Sequence, residues 1–232
     1  MVYAGMVAVC AIGIVGSTLG LEGEDLSHYR NFALGSNVAS VSTLADGGSS
    51  TVKTIHQRPA LLQDLEWRPS RWATGSTAAS TDPVEQVLFS FYDDQLFRIV
   101  VDYDHARTEG MTRADMIEGI SAVYGTPLAR TARVAARMTS RLETQSGSVV
   151  ARWGDAEYEV VLYQTVVYGE AFRLIVRHAH LADLARDAET QALRLDDQEA
   201  PQKAIVRQKK QREEESAAAA KARVVNKRVF RP

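Results

Sequence analysis

The side chains best equipped for chemistry gather at two places along the chain. His178 and His180 alternate at the end of a strand-like stretch, with Asp183 just beyond, and Asp102, Asp104 and His105 close a similar stretch 75 residues earlier. Imidazole beside carboxylate is the material of a general acid–base pair. Two histidines and one carboxylate are also the smallest set that holds a metal. The same residues commonly end strands as solvated polar groups, and the two readings stay open together. Ser50-Thr51-Val52-Lys53 fits the S-x-x-K pattern of a nucleophilic serine, but S-D-N and K-T-G partners are missing and the surrounding Gly and Ser predict a loop. Asp93-Asp94 reads as a turn rather than an acid–base pair. G-x-S-x-G, H-E-x-x-H, G-x-G-x-x-G and Walker patterns do not occur in the sequence. Arg130, Arg133, Arg137 and Arg141, spaced 3, 4 and 4, line one helix face, which is either an anion-binding stripe or a solvated surface.

The chain that must position these groups has 232 residues, 45% hydrophobic and 24% charged. That composition excludes collagen-like and wholly disordered chains, and it is long enough for one or two cores. The net charge of −2 is an average over unlike parts: residues 202–232 carry 10 Lys/Arg against 3 Asp/Glu, leaving 17 against 26 in residues 1–201. Residues 1–21 contain no charged side chain and are followed by Glu22, Glu24 and Asp25. They read as a signal peptide, with an N-terminal anchor as the alternative, although no Lys or Arg precedes the apolar run. Cys10, the single cysteine, excludes a disulfide framework and a multi-cysteine zinc site, and Val9 before it departs from a lipobox.

The body carries an internal repeat. Phe97-Arg98-Ile99-Val100-Val101 matches Phe172-Arg173-Leu174-Ile175-Val176 at an offset of 75, which also pairs Gly35 with Gly110, Ala39 with Ala114 and His105 with His180. Over residues 33–105 against 108–180 there are nine identities, few enough that the order of elements is the stronger argument. Each unit opens with a helix. Thr112 and Asp115 form a capping box ahead of the stripe Met116, Ile117, Ile120, Val123 and Tyr124, and Gly125 and Pro127 stop it. In the first unit Ser36 is the cap ahead of Val38, Val41, Leu44 and Ala45. Each unit closes with a hairpin: strands around 87–92 and 97–103 joined at Asp93-Asp94, and strands around 158–162 and 172–176 joined at Tyr168-Gly169-Glu170. A further strand is expected per unit, around 52–56 or 64–67 and around 148–153.

These readings predict an α+β fold: two tandem helix-plus-antiparallel-sheet repeats, 28–107 and 108–180, forming a curved sheet with helices on one face. An exit helix over 181–200, stopped near Pro201, and a basic low-complexity tail over 201–232, helical or disordered, follow. A helix ending in Gly125-Thr126-Pro127, short antiparallel strands and a duplication of this length resemble the β-lactamase-inhibitor-protein-like fold, which includes small outer-membrane lipoproteins of the SmpA/OmlA type. The resemblance implies fold alone and transfers no functional residue.

The expected function is non-enzymatic: an exported, periplasmic or extracellular bacterial-type binding or scaffold protein, using the sheet face left open by the helices. With Phe97, Ile99 and Val101 turned towards the helix, Leu88, Arg98, Asp102, Tyr163, Arg173 and Arg177 point outward, an apolar–arginine mixture suited to a partner. Trp72 is a further contact candidate, whereas Trp67 reads as a plug over the core. The expected partner is a protein or envelope component, with anionic lipid or another polyanion at the basic tail; nucleic acid, a small-molecule substrate and a cofactor are not expected. The alternatives are a secreted hydrolase using the His/Asp residues and a cytosolic polyanion-binding protein with residues 1–21 folded into the core.

Overall fold

Alternating apolar side chains dominate the middle of the chain, and they fold as one sheet. The computed structural model describes residues 25–45, 48–70, 82–129, 147–165 and 171–231. A small ladder joins β1 (His28–Tyr29) to β2 (Phe32–Ala33). The main sheet has seven strands: β3 (Gly48–His56), β4 (Leu62–Pro69), β5 (Val84–Tyr92), β6 (Gln95–Tyr103), β7 (Ser148–Gly154), β8 (Tyr158–Thr165) and β9 (Ala171–His178). Their order is β3-β4-β5-β6-β9-β8-β7, antiparallel throughout. Both candidate regions for the extra strand of the first unit, 52–56 and 64–67, are strands, so that half contributes four strands and the second half three.

Local chemistry sets the ends of these elements. At Asp93-Asp94 both residues have positive φ, 44° and 64°, the backbone of a tight two-residue hairpin. Their carboxylates bind elsewhere: Asp93 Oδ1 accepts from the Leu61 amide at 2.9 Å and Asp94 Oδ1 from the Val38 amide at 3.0 Å. Helix α1 (Val38–Leu44) is capped by Asn37, whose Oδ1 accepts from Ser40 N, and not by Ser36. Asn caps as well as Ser does, and it stands one residue closer to the helix. Helix α2 (Arg113–Tyr124) begins with the expected reciprocal box between Thr112 and Asp115. It ends at Gly125, whose φ of 75° and ψ of −148° suit only glycine.

Both short helices pack on one face of the sheet. Val41, Met116, Ile120 and Tyr124 join Val87, Phe89, Ile99, Val101, Leu162, Leu174 and Val176 in one cluster. Trp153 is fully buried there, and its Nε1 donates to Gly125 O at 2.9 Å and Ser121 Oγ at 3.2 Å, tying β7 to the end of α2. Trp67 lies in the same cluster, on strand β4, with its ring 5.5 Å from that of Phe32.

Two features depart from the expected architecture. Phe97 does not face α1 and α2. The register shifts between Ser90↔Arg98 and Phe91↔Leu96, and this bulge gives Leu96 the inward position and turns Phe97 to the other face. That other face carries a helix too, so helices lie on both faces. Helix α3 (Ala179–Val229) is continuous for 51 residues. Ala182, Ala185, Ala188 and Ala192 are buried, the first two against Leu62 and Phe97. The small alanines let the helix backbone approach the sheet closely.

Pro201 does not stop α3. Proline in a helix interior removes a backbone donor and commonly costs about 3 kcal/mol. Here charged side chains bridge the site. Glu199 accepts from Arg58 NH2 at 3.0 Å and from Lys203 Nζ at 3.0 Å, and Lys203 also reaches Asp196 at 3.0 Å. Hydrogen bonds from Arg58 and Lys203 hold the Glu199 carboxyl down at about 2. Because this folded-state value lies below the ordinary 4.5, the contribution is complete above pH 4.5 and disappears as the pH falls towards 2. In an acid titration followed by circular dichroism, the wild-type chain loses helical signal in that window beyond what Glu199→Gln loses. Trp153→Phe leaves the Gly125 carbonyl without its buried donor and lowers stability by about 1–3 kcal/mol, read from the urea midpoint.

Candidate functional site

Antiparallel pairing places the expected partner-binding residues in three parallel rows on the face opposite α1 and α2. Leu88, Val100, Ile175 and Val161 stand directly opposite one another on β5, β6, β9 and β8. Ser90, Arg98, Arg177 and Glu159 form the row on one side. Gln86, Asp102, Arg173 and Tyr163 form the row on the other. An apolar row is thus framed by two polar rows rich in arginine. Six of the seven expected contact residues, Leu88, Arg98, Asp102, Tyr163, Arg173 and Arg177, come together here, while Trp72 lies outside the described residues.

The polar rows are tied by charge. Arg173 spans to Asp102 with two hydrogen bonds, Nε–Oδ1 at 2.5 Å and NH2–Oδ2 at 3.1 Å. Glu159 serves two arginines: Arg177 Nε reaches its Oε2 at 2.7 Å and Arg152 NH1 its Oε1 at 2.6 Å. Arg98 NH2 donates to Ser90 Oγ at 3.1 Å, and its guanidinium lies 5.4 Å from the centre of the Phe97 ring. Planar, forked guanidinium groups suit these bidentate and stacked contacts. The face is also more enclosed than its alternating pattern predicts. Val100, Val161 and Ile175 are only 1–3% exposed, and Tyr163 is buried with them. α3 covers the end of this face near Phe97. Glu159 and Arg152 were not visible as site residues in the sequence; the signal lay in strand register, which fixes who stands opposite Arg177.

The histidine and carboxylate groups do not converge. β6 and β9 run in opposite directions, so His105, beyond the end of β6, and His178, at the end of β9, lie at opposite ends of the sheet. Counted from the Asp102↔Arg173 pair, eight residue steps separate them, about 25 Å at ~3.3 Å per step. His178 caps α3, its Nδ1 accepting from Leu181 N at 3.4 Å, and its ring packs edge-on against Tyr158. His180 sits inside the helix and is exposed, and Asp183 pairs with Arg186 at 3.0 Å. Asp104 caps a short 3-10 turn, His105–Arg107, by accepting from Ala106 N. Ser50 and Lys53 belong to strand β3 and not to a loop, and their odd separation sends them to opposite faces of it. Among the described residues, no group of three or more His, Cys, Asp or Glu could hold a metal ion. No helix among them is long and apolar enough to cross a membrane. The Arg130–Arg141 ladder, Cys10, residues 1–21 and the Tyr168-Gly169-Glu170 turn lie outside the described residues.

Comparison with protein-family models, with curated proteins and with solved structures gives no match.

Glu159→Gln removes the carboxylate shared by Arg152 and Arg177. These groups are mostly shielded, so the loss falls between the exposed and buried limits for ion pairs, about 1–2 kcal/mol. Differential scanning calorimetry should show a lower Tm for Glu159→Gln than for the exposed control Glu66→Gln.

Proposed function

We propose that the protein is a non-enzymatic, exported binding or scaffold protein whose partner is a polyanionic component of the cell envelope, with α3 as the arm that engages it. One observation carries the reading: every described residue from 200 to 231 is exposed, and this stretch is helix through Val229. Thirty helical residues extend about 45 Å at ~1.5 Å each. Arg207, Lys210, Lys221 and Arg228 are spaced 3, 11 and 7, which puts them on one side of the helix. A helix that buries nothing and carries 10 basic residues against 3 acidic ones over 202–232 is suited to meeting a negative surface. The arginine-framed sheet face is the second contact region in this reading, through the half-buried Leu88 and Arg98, with Tyr163 buried beneath them.

The body is read as two tandem repeats in the β-lactamase-inhibitor-protein-like manner. The register of β6 and β9 supports this. Val100 stands opposite Ile175, its own equivalent at an offset of 75. The flanking pairs mirror each other in the same numbering: Ile99↔Val176 with Val101↔Leu174, and Arg98↔Arg177 with Asp102↔Arg173. A local two-fold axis through Val100 and Ile175 is what two repeats joined edge to edge would produce.

The test compares the full chain with a chain ending at residue 200 and with a charge-reversed arm, Arg207→Glu, Lys210→Glu, Lys221→Glu and Arg228→Glu. Retention on a polyanionic matrix such as heparin should require markedly more salt to reverse for the full chain than for either variant. Equal elution of all three would end the reading. N-terminal sequencing of the chain from its own cells tests export separately: an intact Met1 in a soluble protein counts against it.

A further inference from the structure

A cavity of about 350 Å³ opens between α2, the β1–β2 hairpin and the end of β6. Tyr29, Tyr103, Tyr124, Met116, Ile120 and Leu174 form its wall. The volume stands at the lower end of the range for small-molecule pockets, and an apolar wall with a few polar groups is their usual lining. Here the polar groups are phenols. Tyr124 donates to His28 O at 2.8 Å. Tyr29 is 6% exposed, and among the described residues neither its hydroxyl nor that of Tyr103 has a hydrogen-bond partner. Burial pushes the Tyr103 phenol up to about 12 and raises that of Tyr29 further, so both are neutral donors near neutral pH.

The charges at the mouth are already matched. Arg30 holds Asp82 with two hydrogen bonds at 2.7 and 2.8 Å, and Asp115 is engaged with Thr112 in the cap of α2. A charged ligand would therefore enter without a counter-charge and lose its hydration. An uncharged one with a hydrogen-bond acceptor would meet the phenols.

Gly119 supplies an independent observation. It lies mid-helix in α2 and lines the cavity. Its φ is not positive, and a Cβ built on it meets nothing within 4 Å. Neither backbone conformation nor close packing requires glycine, although glycine weakens a helix relative to alanine. No side chain from this position crowds the cavity mouth, and a long one would reach into it. Val123, one turn on at the same rim, is 62% exposed.

We propose that this cavity is a binding site for a small, uncharged aromatic or alicyclic ligand bearing a hydrogen-bond acceptor, which seats its apolar body against Met116, Ile120 and Leu174 and its polar end on Tyr29 and Tyr103. The site is separate from the sheet face and the arm. The probe is 2-naphthol, neutral near pH 7, titrated calorimetrically into the full chain, with 2-naphthoate as its charged counterpart. Saturable binding of 2-naphthol is expected, with 2-naphthoate about tenfold weaker or worse. Gly119→Leu should weaken 2-naphthol by at least about tenfold while Tm stays equal or rises, because leucine is the better helix former. Gly119→Ala should keep the affinity, and Tyr103→Phe should lower it several-fold. Absence of saturable binding overturns the proposal, and so does unchanged affinity in Gly119→Leu. Naphthoate binding as tightly as naphthol overturns the assignment to an uncharged ligand.

Discussion

The pairing of β6 with β9 is the connection on which the rest depends. Every other strand pairing in the main sheet joins neighbours in sequence: β3 to β4 to β5 to β6 on one side, β7 to β8 to β9 on the other. Among the described residues only this ladder pairs a strand of one half with a strand of the other, through five residue pairs from Arg98↔Arg177 to Asp102↔Arg173. Its inner face is sealed by Ile99, Val101, Leu174 and Val176 in the main core. Its outer face is sealed by Val100 and Ile175, and the Arg173–Asp102 pair crosses the same seam. A slip of one residue would turn one strand over against the other, sending Leu174 and Val176 of β9 to the polar face and Arg173 and Arg177 into the core. Burying an unpaired guanidinium costs several kcal/mol, so the register is strongly specified.

That register also decides what the arginines do. Arg98 and Arg177 stand opposite each other, a like-charge pair that would repel if left alone. Each is drawn sideways instead: Arg98 to Ser90 and the Phe97 ring on β5 and β6, Arg177 to Glu159 on β8. The bulge that displaces Phe97 is part of the same solution. It brings an aromatic face beside the Arg98 guanidinium and a bulky side chain beneath Ala182 and Ala185 of α3. One extra residue in β6 thereby couples the charge rows to the docking of the long helix.

What the sequence disclosed follows the range of the interaction involved. The cap of α2 was legible because Thr112 and Asp115 are three residues apart and bind each other. The hairpin at Asp93-Asp94 was legible because its geometry needs only those two residues. The orientation of Phe97 was not, since it depends on which residue of β5 stands opposite Leu96. The mixed character of the outer face could be read from Arg173, Ile175 and Arg177, but the burial of Ile175 follows from neighbours on three other strands. The seat of α3 was hidden for another reason. Ala182, Ala185, Ala188 and Ala192 make a weak apolar stripe, and close approach rather than hydrophobicity is what they provide. The cavity beside α2 leaves no local signature, because its three tyrosines come from residues 29, 103 and 124, scattered along the chain.

The course of α3 bears on the separation of charge. An acidic body and a basic segment attract, and a flexible connection would let the segment fold back and neutralise itself. The helix prevents this by persisting through Pro201, where Arg58, Glu199 and Lys203 link the sheet-side loop to both flanks of the proline. Lys221, Lys227 and Arg228 then lie about 30–40 Å along the axis from that brace, at ~1.5 Å per residue. Screening at physiological ionic strength acts over about 8 Å. The far half of the arm therefore carries its positive charge beyond the reach of the acidic body, and that charge is open to whatever negative surface the arm meets.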